Sequence, residues 1–164
     1  MKTKKSWTRW TVLLFAAVGI VASAGACGRG APQEQVVPPP QTVVFVHGAW
    51  GGGWQFHKVE PLLTRLGHRV FRPTMTGLGE RVHLAHAEVN LTTHINDIVN
   101  FLRFEDLSDV VLVGHSYGGM VIAGVAEVVP HRIRRLVYFD AIVPEDGDSV
   151  ERLFGEALDV MATA

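Results

Sequence analysis

The sequence predicts an α/β fold with a mostly parallel sheet of about four strands flanked by helices. Three observations lead to this prediction. Four short runs are rich in β-branched and aromatic residues, and Val110–Val113 is wholly apolar, which indicates strands that are covered on both sides. Segments with apolar residues at helical spacing separate the runs, and glycine or proline ends several of these segments. Strands that alternate with helices are typical of a parallel sheet.

The predicted elements begin at residue 42. The strands are Thr42–Val46, Arg69–Arg72, Val110–Val113 and Leu136–Phe139. The first helix ends at Gly67, and the third, Gly119–Val129, is stopped by Pro130. The second helix follows Thr92, a suitable N-cap, and its apolar face consists of Leu91, Ile95, Ile98, Val99 and Leu102.

Composition and charge exclude several classes of protein. The chain has 164 residues, of which 48% are hydrophobic and 19% charged, so it is neither disordered nor collagen-like. Its one cysteine excludes an internal disulfide and a cysteine-based zinc site. Beyond residue 26, 11 basic residues stand against 16 acidic ones, a net charge of −5. A nucleic-acid partner is therefore not expected.

The N-terminus has the pattern of an export signal. Residues 1–10 carry four basic residues and no acid, and residues 11–26 are uncharged and end in small residues. Residues 1–26 are therefore predicted to be a signal peptide, either secretory or of the lipoprotein type with Cys27 as the lipid-bearing N-terminus. The uncharged run is short for a membrane span, although an uncleaved anchor remains open. Residues 27–41, with three consecutive prolines, are predicted to be a linker.

The strongest chemical motif is Gly114-His115-Ser116-Tyr117-Gly118. This G-x-S-x-G pattern follows an apolar strand and precedes a helix, which is the setting of a nucleophilic serine on a tight turn. Glycine is needed at 114 and 118 because side chains there would collide with the turn. His115 belongs to the same turn and is assigned a supporting role. The G-x-G-x-x-G spacing of a dinucleotide loop is absent from the motif.

A second motif follows the first strand. A tetrahedral intermediate needs two N–H donors, and the residue after the nucleophile, Tyr117, would supply one. We assign the other to Ala49, because His47 and Gly48 reverse the chain just before it. Trp50 and Trp54 in the same loop are candidates to line a substrate pocket, although simple packing explains large aromatic residues equally well.

Five segments together resemble bacterial α/β-hydrolase-fold esterases related to the plant methylesterase and hydroxynitrile lyase group. They are Val46–Trp50, Gly67–Val70, Thr76–Arg81, Val113–Met120, and Asp140-Ala141 with Val143–Gly147. The resemblance implies a Ser–His–Asp hydrolase of small esters, without metal or cofactor, in which Ser116 is the nucleophile. The plant lyases have threonine where this chain has Gly48 and often glutamate where it has His115, so these departures favour ester hydrolysis.

The resemblance also implies that the catalytic triad is incomplete. Residues 42–144 correspond to the N-terminal part of the hydrolase domain and 145–164 to the start of a lid, so the predicted fold is partial and its C-terminal strands are missing. Of the residues after Ser116, the only histidine is His131, expected at the wrong edge of the sheet. Asp140 is expected to support a loop. A truncated reading frame, a fragment, or a second polypeptide that supplies the missing half would each explain this pattern.

Two functions remain open from the sequence. The first is a serine hydrolase of small carboxylic esters, with this chain inactive alone. The second is a non-catalytic binding protein tethered to the cell envelope. Both predict export across the bacterial cytoplasmic membrane, to a lipid-anchored, secreted or periplasmic location, with membrane contact only through the signal or the lipid. The open edge of the fourth strand predicts self-association. His83 and His86 are not expected to bind metal, since they lie in a segment that matches the family.

Overall fold

The computed structural model describes residues 39–155. The predicted signal peptide, Cys27, nearly all of the predicted linker and the end of the predicted lid segment lie outside this range. Four strands form one sheet: β1 (Thr42–Val46), β2 (Arg69–Phe71), β3 (Val110–Ser116) and β4 (Ile133–Ala141). Their order is β2-β1-β3-β4, and every pairing is parallel. The predicted parallel sheet is therefore confirmed.

Three α-helices connect the strands: α1 (Glu60–Arg65), α2 (Leu91–Phe104) and α3 (Gly118–Val128). Short 3₁₀ turns lie at Gly53–Phe56, Gly79–Leu84 and Pro130–Arg132. The predicted cap of α2 was wrong. Asn90 is the N-cap, because its side-chain oxygen accepts the Thr93 N–H at 3.2 Å, while the Thr93 hydroxyl accepts the Asn90 N–H. Thr92 lies within the first turn.

Side chains of the two central strands alternate between two apolar layers. Val44, Leu112 and their neighbours in register face α2 and α3, and this layer holds most of the fully buried side chains. Val43 and Val111 face the opposite layer, which contains Phe56 and part of α1. Because both faces of the sheet are covered, the central strands need no polar face.

Two strands are longer than their apolar runs. β3 continues past Val113 to Ser116, and β4 extends from Ile133 to Ala141, because backbone pairing between them continues through polar residues. The extension carries the ends of both strands to the same edge of the sheet. After β4, a turn leads to a helical segment at 150–155, where the Ser149 hydroxyl accepts the Arg152 N–H at 3.0 Å. Within residues 39–155, no helix is long and apolar enough to cross a membrane.

Candidate active site

Ser116 lies at the apex of the turn between β3 and α3. Its φ is +53°, a left-handed conformation that costs energy for a residue with a side chain. A Cβ at Gly114 would lie 2.6 Å from the Gly118 carbonyl oxygen, and one at Gly118 would lie 2.5 Å from the Val46 oxygen. The collisions that require glycine are thus with neighbouring backbone and not with the serine side chain.

The loop after β1 lies against this serine. A Cβ at Gly48 would lie 3.0 Å from the Ser116 Cβ and 3.4 Å from its Oγ. The loop turns at Ala49 and Trp50, closed by the Gly51 N–H, which donates to the Gly48 oxygen at 3.4 Å, and Trp50 has φ +57°. Within residues 39–155, the amides of Ala49 and Tyr117 donate to no acceptor. Two N–H groups without an acceptor are therefore found near the proposed nucleophile, one in the next residue and one in the loop that lies against it.

His47 holds the start of this loop from inside the protein. Its ring is fully buried, and Nε2 accepts the Met75 N–H at 3.1 Å, so the ring proton is on Nδ1. The Nδ1–H donates to the Gly48 carbonyl oxygen at 2.8 Å. Burial lowers the pKa of His47 below its usual value, so the ring is held neutral. His47 is thereby a structural support and not a free base.

A second buried histidine, which the sequence analysis missed, supports Tyr117. His94 on α2 accepts the Tyr117 hydroxyl at Nδ1 (2.9 Å) and donates from Nε2 to the Thr76 carbonyl oxygen (2.9 Å). Asp97, three residues on, accepts the Thr76 amide at 2.6 Å and its hydroxyl at 2.9 Å. Burial raises the pKa of Tyr117 to about 12. The spacing of His94 and Asp97 on one helix face was the available signal.

The glycine-rich loop is fixed by the segment after β2. The Gly53 amide donates to the Thr74 hydroxyl oxygen at 2.8 Å, and that hydroxyl donates to Glu80 at 2.6 Å. The hydrogen bond from Thr74 lowers the pKa of Glu80, so the carboxylate stays ionised. Arg81 donates to the Thr74 carbonyl oxygen at 2.8 Å. These contacts hold the loop in one position over the sheet edge.

A cavity of about 480 Å³ lies beside Ser116. Its polar part contains His115, Ser116 and Asp140, and the rest is mainly apolar. The described residues that line it are His115, Ser116, Asp140, Ala141, Ile142, Val143, Leu153 and Phe154. The His115 ring packs against Phe139, with ring centroids 5.9 Å apart. Ser116 therefore adjoins a space large enough for a small organic molecule.

Comparisons with known proteins agree with this geometry. Residues 43–162 match the profile of the alpha/beta hydrolase family. The chain belongs to the alpha/beta hydrolase family. A carbendazim hydrolyzing esterase of Nocardioides sp. (strain SG-4G) is 54% identical over 115 residues, which cover 70% of this chain and 48% of that protein. Methylesterase 2 of Arabidopsis thaliana is 33% identical over 132 residues, covering 72% and 47%.

A solved structure is also similar to this chain. An extracellular alpha/beta-hydrolase from a Paenibacillus species, described as sharing structural and functional homology with Tobacco Salicylic Acid Binding Protein 2, has a TM-score of 0.69 and 36% identity. The match covers 76% of this chain and 50% of that one. The chain spans about half the length of the curated relatives it matches. The predicted relationship to bacterial esterases and plant methylesterases is confirmed.

Trp50 and Trp54, predicted as possible pocket residues, do not line the cavity beside Ser116. Their side chains are 78% and 52% exposed. The positive φ of Trp50 turns the loop sharply. A Cβ at Gly52 would collide with the Trp54 ring, so this ring lies along its own loop. Both side chains therefore stand at the surface of the loop that supplies the Ala49 amide.

Within residues 39–155, no histidine side chain forms a hydrogen bond with the Ser116 Oγ. His131 precedes β4, and the pairing register places that end of the strand about 20 Å from Ser116 at 3.3 Å per residue. Asp140 stands at the opposite end of β4, in the cavity. Within residues 39–155, no group of three or more metal-ligating side chains converges, including around His83 and His86.

Proposed function

We propose that this protein is a serine hydrolase that cleaves small carboxylic esters through an acyl-enzyme intermediate. The observation that carries the proposal is the conformation of Ser116, which has φ +53° and adjoins two residues, Ala49 and Tyr117, whose amides donate to no acceptor within the described residues. Strain of this kind is characteristic of functional sites. Esterases among the relatives support the choice of substrate class.

In the proposed reaction, the Ser116 Oγ attacks the ester carbonyl carbon and forms a tetrahedral intermediate. The negative charge that develops on the carbonyl oxygen accepts hydrogen bonds from the amides of Ala49 and Tyr117. The ester C–O bond to the alcohol then breaks, and the alcohol leaves with the proton that the Ser116 Oγ lost to a general base. Water then cleaves the acyl–Oγ bond, which releases the carboxylic acid and restores the Ser116 hydroxyl. Removal of one oxyanion-hole donor slows such a reaction by about 10²–10³-fold. His47 and the His94–Tyr117 pair keep these donors in place.

The Ser116 hydroxyl needs a general base, and that base needs an acid to orient it. No described residue acts as a base on Ser116, so we expect residues 39–155 by themselves to be a poor catalyst. The second candidate function is a binding protein that keeps the cleft without the triad. Reactivity of the serine therefore decides between the two functions.

A fluorophosphonate probe distinguishes them, because an activated serine is phosphonylated whereas an unassisted hydroxyl hardly reacts. The native protein would be isolated from its source and its intact mass measured. Its labelling by the probe would then be compared with that of the S116A variant. We expect labelling that S116A abolishes. A folded native protein that does not label would refute the hydrolase and favour the binding protein.

We further propose that the protein is exported and is either lipid-anchored at Cys27 or released as a secreted or periplasmic protein. The basic start, the uncharged run and the small residues before Cys27 support export. The mass of the mature N-terminal peptide and incorporation of a fatty-acid analogue, with C27S as control, distinguish the two routes. A mature protein that retains residues 1–26 would refute cleavage.

Self-association through β4 is also proposed. Within the described residues, β4 pairs with β3 on one side only, so its other edge presents unpaired backbone groups. Light scattering of the native protein over a concentration series tests this idea. A mass that stays monomeric at all concentrations would contradict it.

A further inference from the structure

A β-bulge lies directly opposite the proposed nucleophile. In the pairing of β3 with β4, His115 is opposite Phe139 and Ser116 is opposite Ala141, so Asp140 is an extra residue in β4. The φ of Asp140 is +44°, in the region that residues with a side chain rarely adopt. Bulges beside active sites redirect a side chain. This bulge places Asp140 at the cavity that Ser116 lines.

The Asp140 carboxylate has no protein partner within residues 39–155. It forms no ion pair with the described basic residues and accepts no hydrogen bond from them. A nearby carboxylate, Asp148, behaves differently, since it accepts the Glu145 amide at 2.7 Å and pairs with Arg152 at 3.3 Å. Asp140 is also exposed and lines the cavity beside Ser116, so within the described residues no basic side chain offsets its carboxylate.

We propose that Asp140 is a specificity-determining residue that binds a protonated amine on the substrate. The inference rests on the proposed ester hydrolase function and adds a substrate class, namely esters that carry a cationic amine near the ester carbonyl. The apolar wall of the cavity would contact the hydrocarbon part of such a molecule; it consists of Ile142, Val143, Leu153 and Phe154. Substrates that carry a carboxylate are disfavoured, because like charges repel.

Three boronic acids test this proposal. Boronic acids add reversibly to an activated serine, and the compounds 3-(aminomethyl)-, 3-(hydroxymethyl)- and 3-carboxyphenylboronic acid differ mainly in charge. Their inhibition constants would be measured on the native protein by competition with fluorophosphonate labelling. We expect the amine to bind about 3- to 5-fold more tightly than the hydroxymethyl compound, and the carboxylate to bind more weakly by a similar factor. Both differences should shrink as salt is raised from 0.01 to 0.5 M.

The matched variant is D140N, because asparagine also tolerates a positive φ and has nearly the same shape without the charge. In D140N the three inhibition constants should agree within about twofold, and D140G, which removes any backbone strain, should give the same result. D148N removes a charge from the same region outside the cavity lining and should retain the preference for the amine.

Each other result has a defined meaning. Equal affinities for the three compounds on the native protein would overturn the inference and leave the proposed function standing. Retention of the charge preference in D140N would do the same. A large loss of fluorophosphonate labelling in D140N would place Asp140 in nucleophile activation, which also overturns the specificity role. A native protein that neither labels nor binds any of the compounds would overturn both proposals.

Discussion

The His47 imidazole donates from Nδ1 to the carbonyl oxygen of Gly48 at 2.8 Å, and this contact orients the peptide that links Gly48 to Ala49. In a planar trans peptide, the C=O and N–H groups point in opposite directions. The Ala49 N–H is therefore directed away from His47, while Gly48 lies against Ser116. A buried ring thus determines the direction of a proposed oxyanion donor without touching the substrate.

Two substitutions at His47 test this role. The asparagine of H47N can place an N–H near the position of Nδ1, whereas the glutamine of H47Q places its amide near Nε2. We expect the labelling rate of H47N to stay within about 10-fold of the native rate. The labelling rate of H47Q should fall roughly 10²–10³-fold, which is the rate effect of one oxyanion-hole donor. Equal labelling rates in two folded variants would show that His47 does not orient the Ala49 amide.

Acid should destabilise the protein through the same histidine. Burial lowers the pKa of His47 in the folded state, so the unfolded chain binds a proton first as the pH falls. The stabilisation is complete above the unfolded pKa of about 6.5 and is lost as the pH falls through the folded pKa. Urea unfolding between pH 8 and 4 should show that the free energy of unfolding depends less steeply on pH in H47N than in the native protein. An unchanged slope in H47N would contradict this assignment.

A proline at position 49 removes the proposed donor itself. Ala49 is the first central residue of the turn from Gly48 to Gly51, where proline is generally favoured, and proline has no N–H. We expect A49P to fold and to lose about 10²–10³ in labelling rate, while A49S, which keeps the amide, stays near the native rate. Labelling of folded A49P at the native rate would exclude the Ala49 amide from the oxyanion hole.

The two tyrosines of the chain provide a matched pair. Y117F removes the hydroxyl that donates to His94 and leaves a buried ring nitrogen without its partner, which should lower the free energy of unfolding by about 1–3 kcal/mol. The half-buried Tyr138 makes no side-chain hydrogen bond within residues 39–155, so Y138F should change this free energy by much less. Urea titrations would measure both. Equal losses would mean that the His94–Tyr117 hydrogen bond contributes little.

Local patterns were sufficient to predict the strands and helices, but not all of their ends. β1 has the predicted bounds, since a glycine follows its apolar run closely. β3 and β4 extend beyond their apolar runs because each is paired to its neighbour, and pairing is not visible in one segment alone. At α2, Asn90 and Thr92 are both good caps, and reciprocal hydrogen bonds with Thr93 favour Asn90.

The sequence by itself determined the α/β fold, the hydrolase family and Ser116 as the candidate nucleophile. The fold and the candidate nucleophile follow from hydrophobic periodicity and from glycines within two residues of one serine. The family follows from the resemblance of five short segments to known esterases. All of these are local properties of the chain. Only the tertiary structure joined His47 to Met75, 28 residues away, and His94 to Tyr117, 23 residues away. It also placed Asp140 in the cavity and left Trp50 and Trp54 outside it. Such contacts depend on strand register and helix packing, which no single segment specifies.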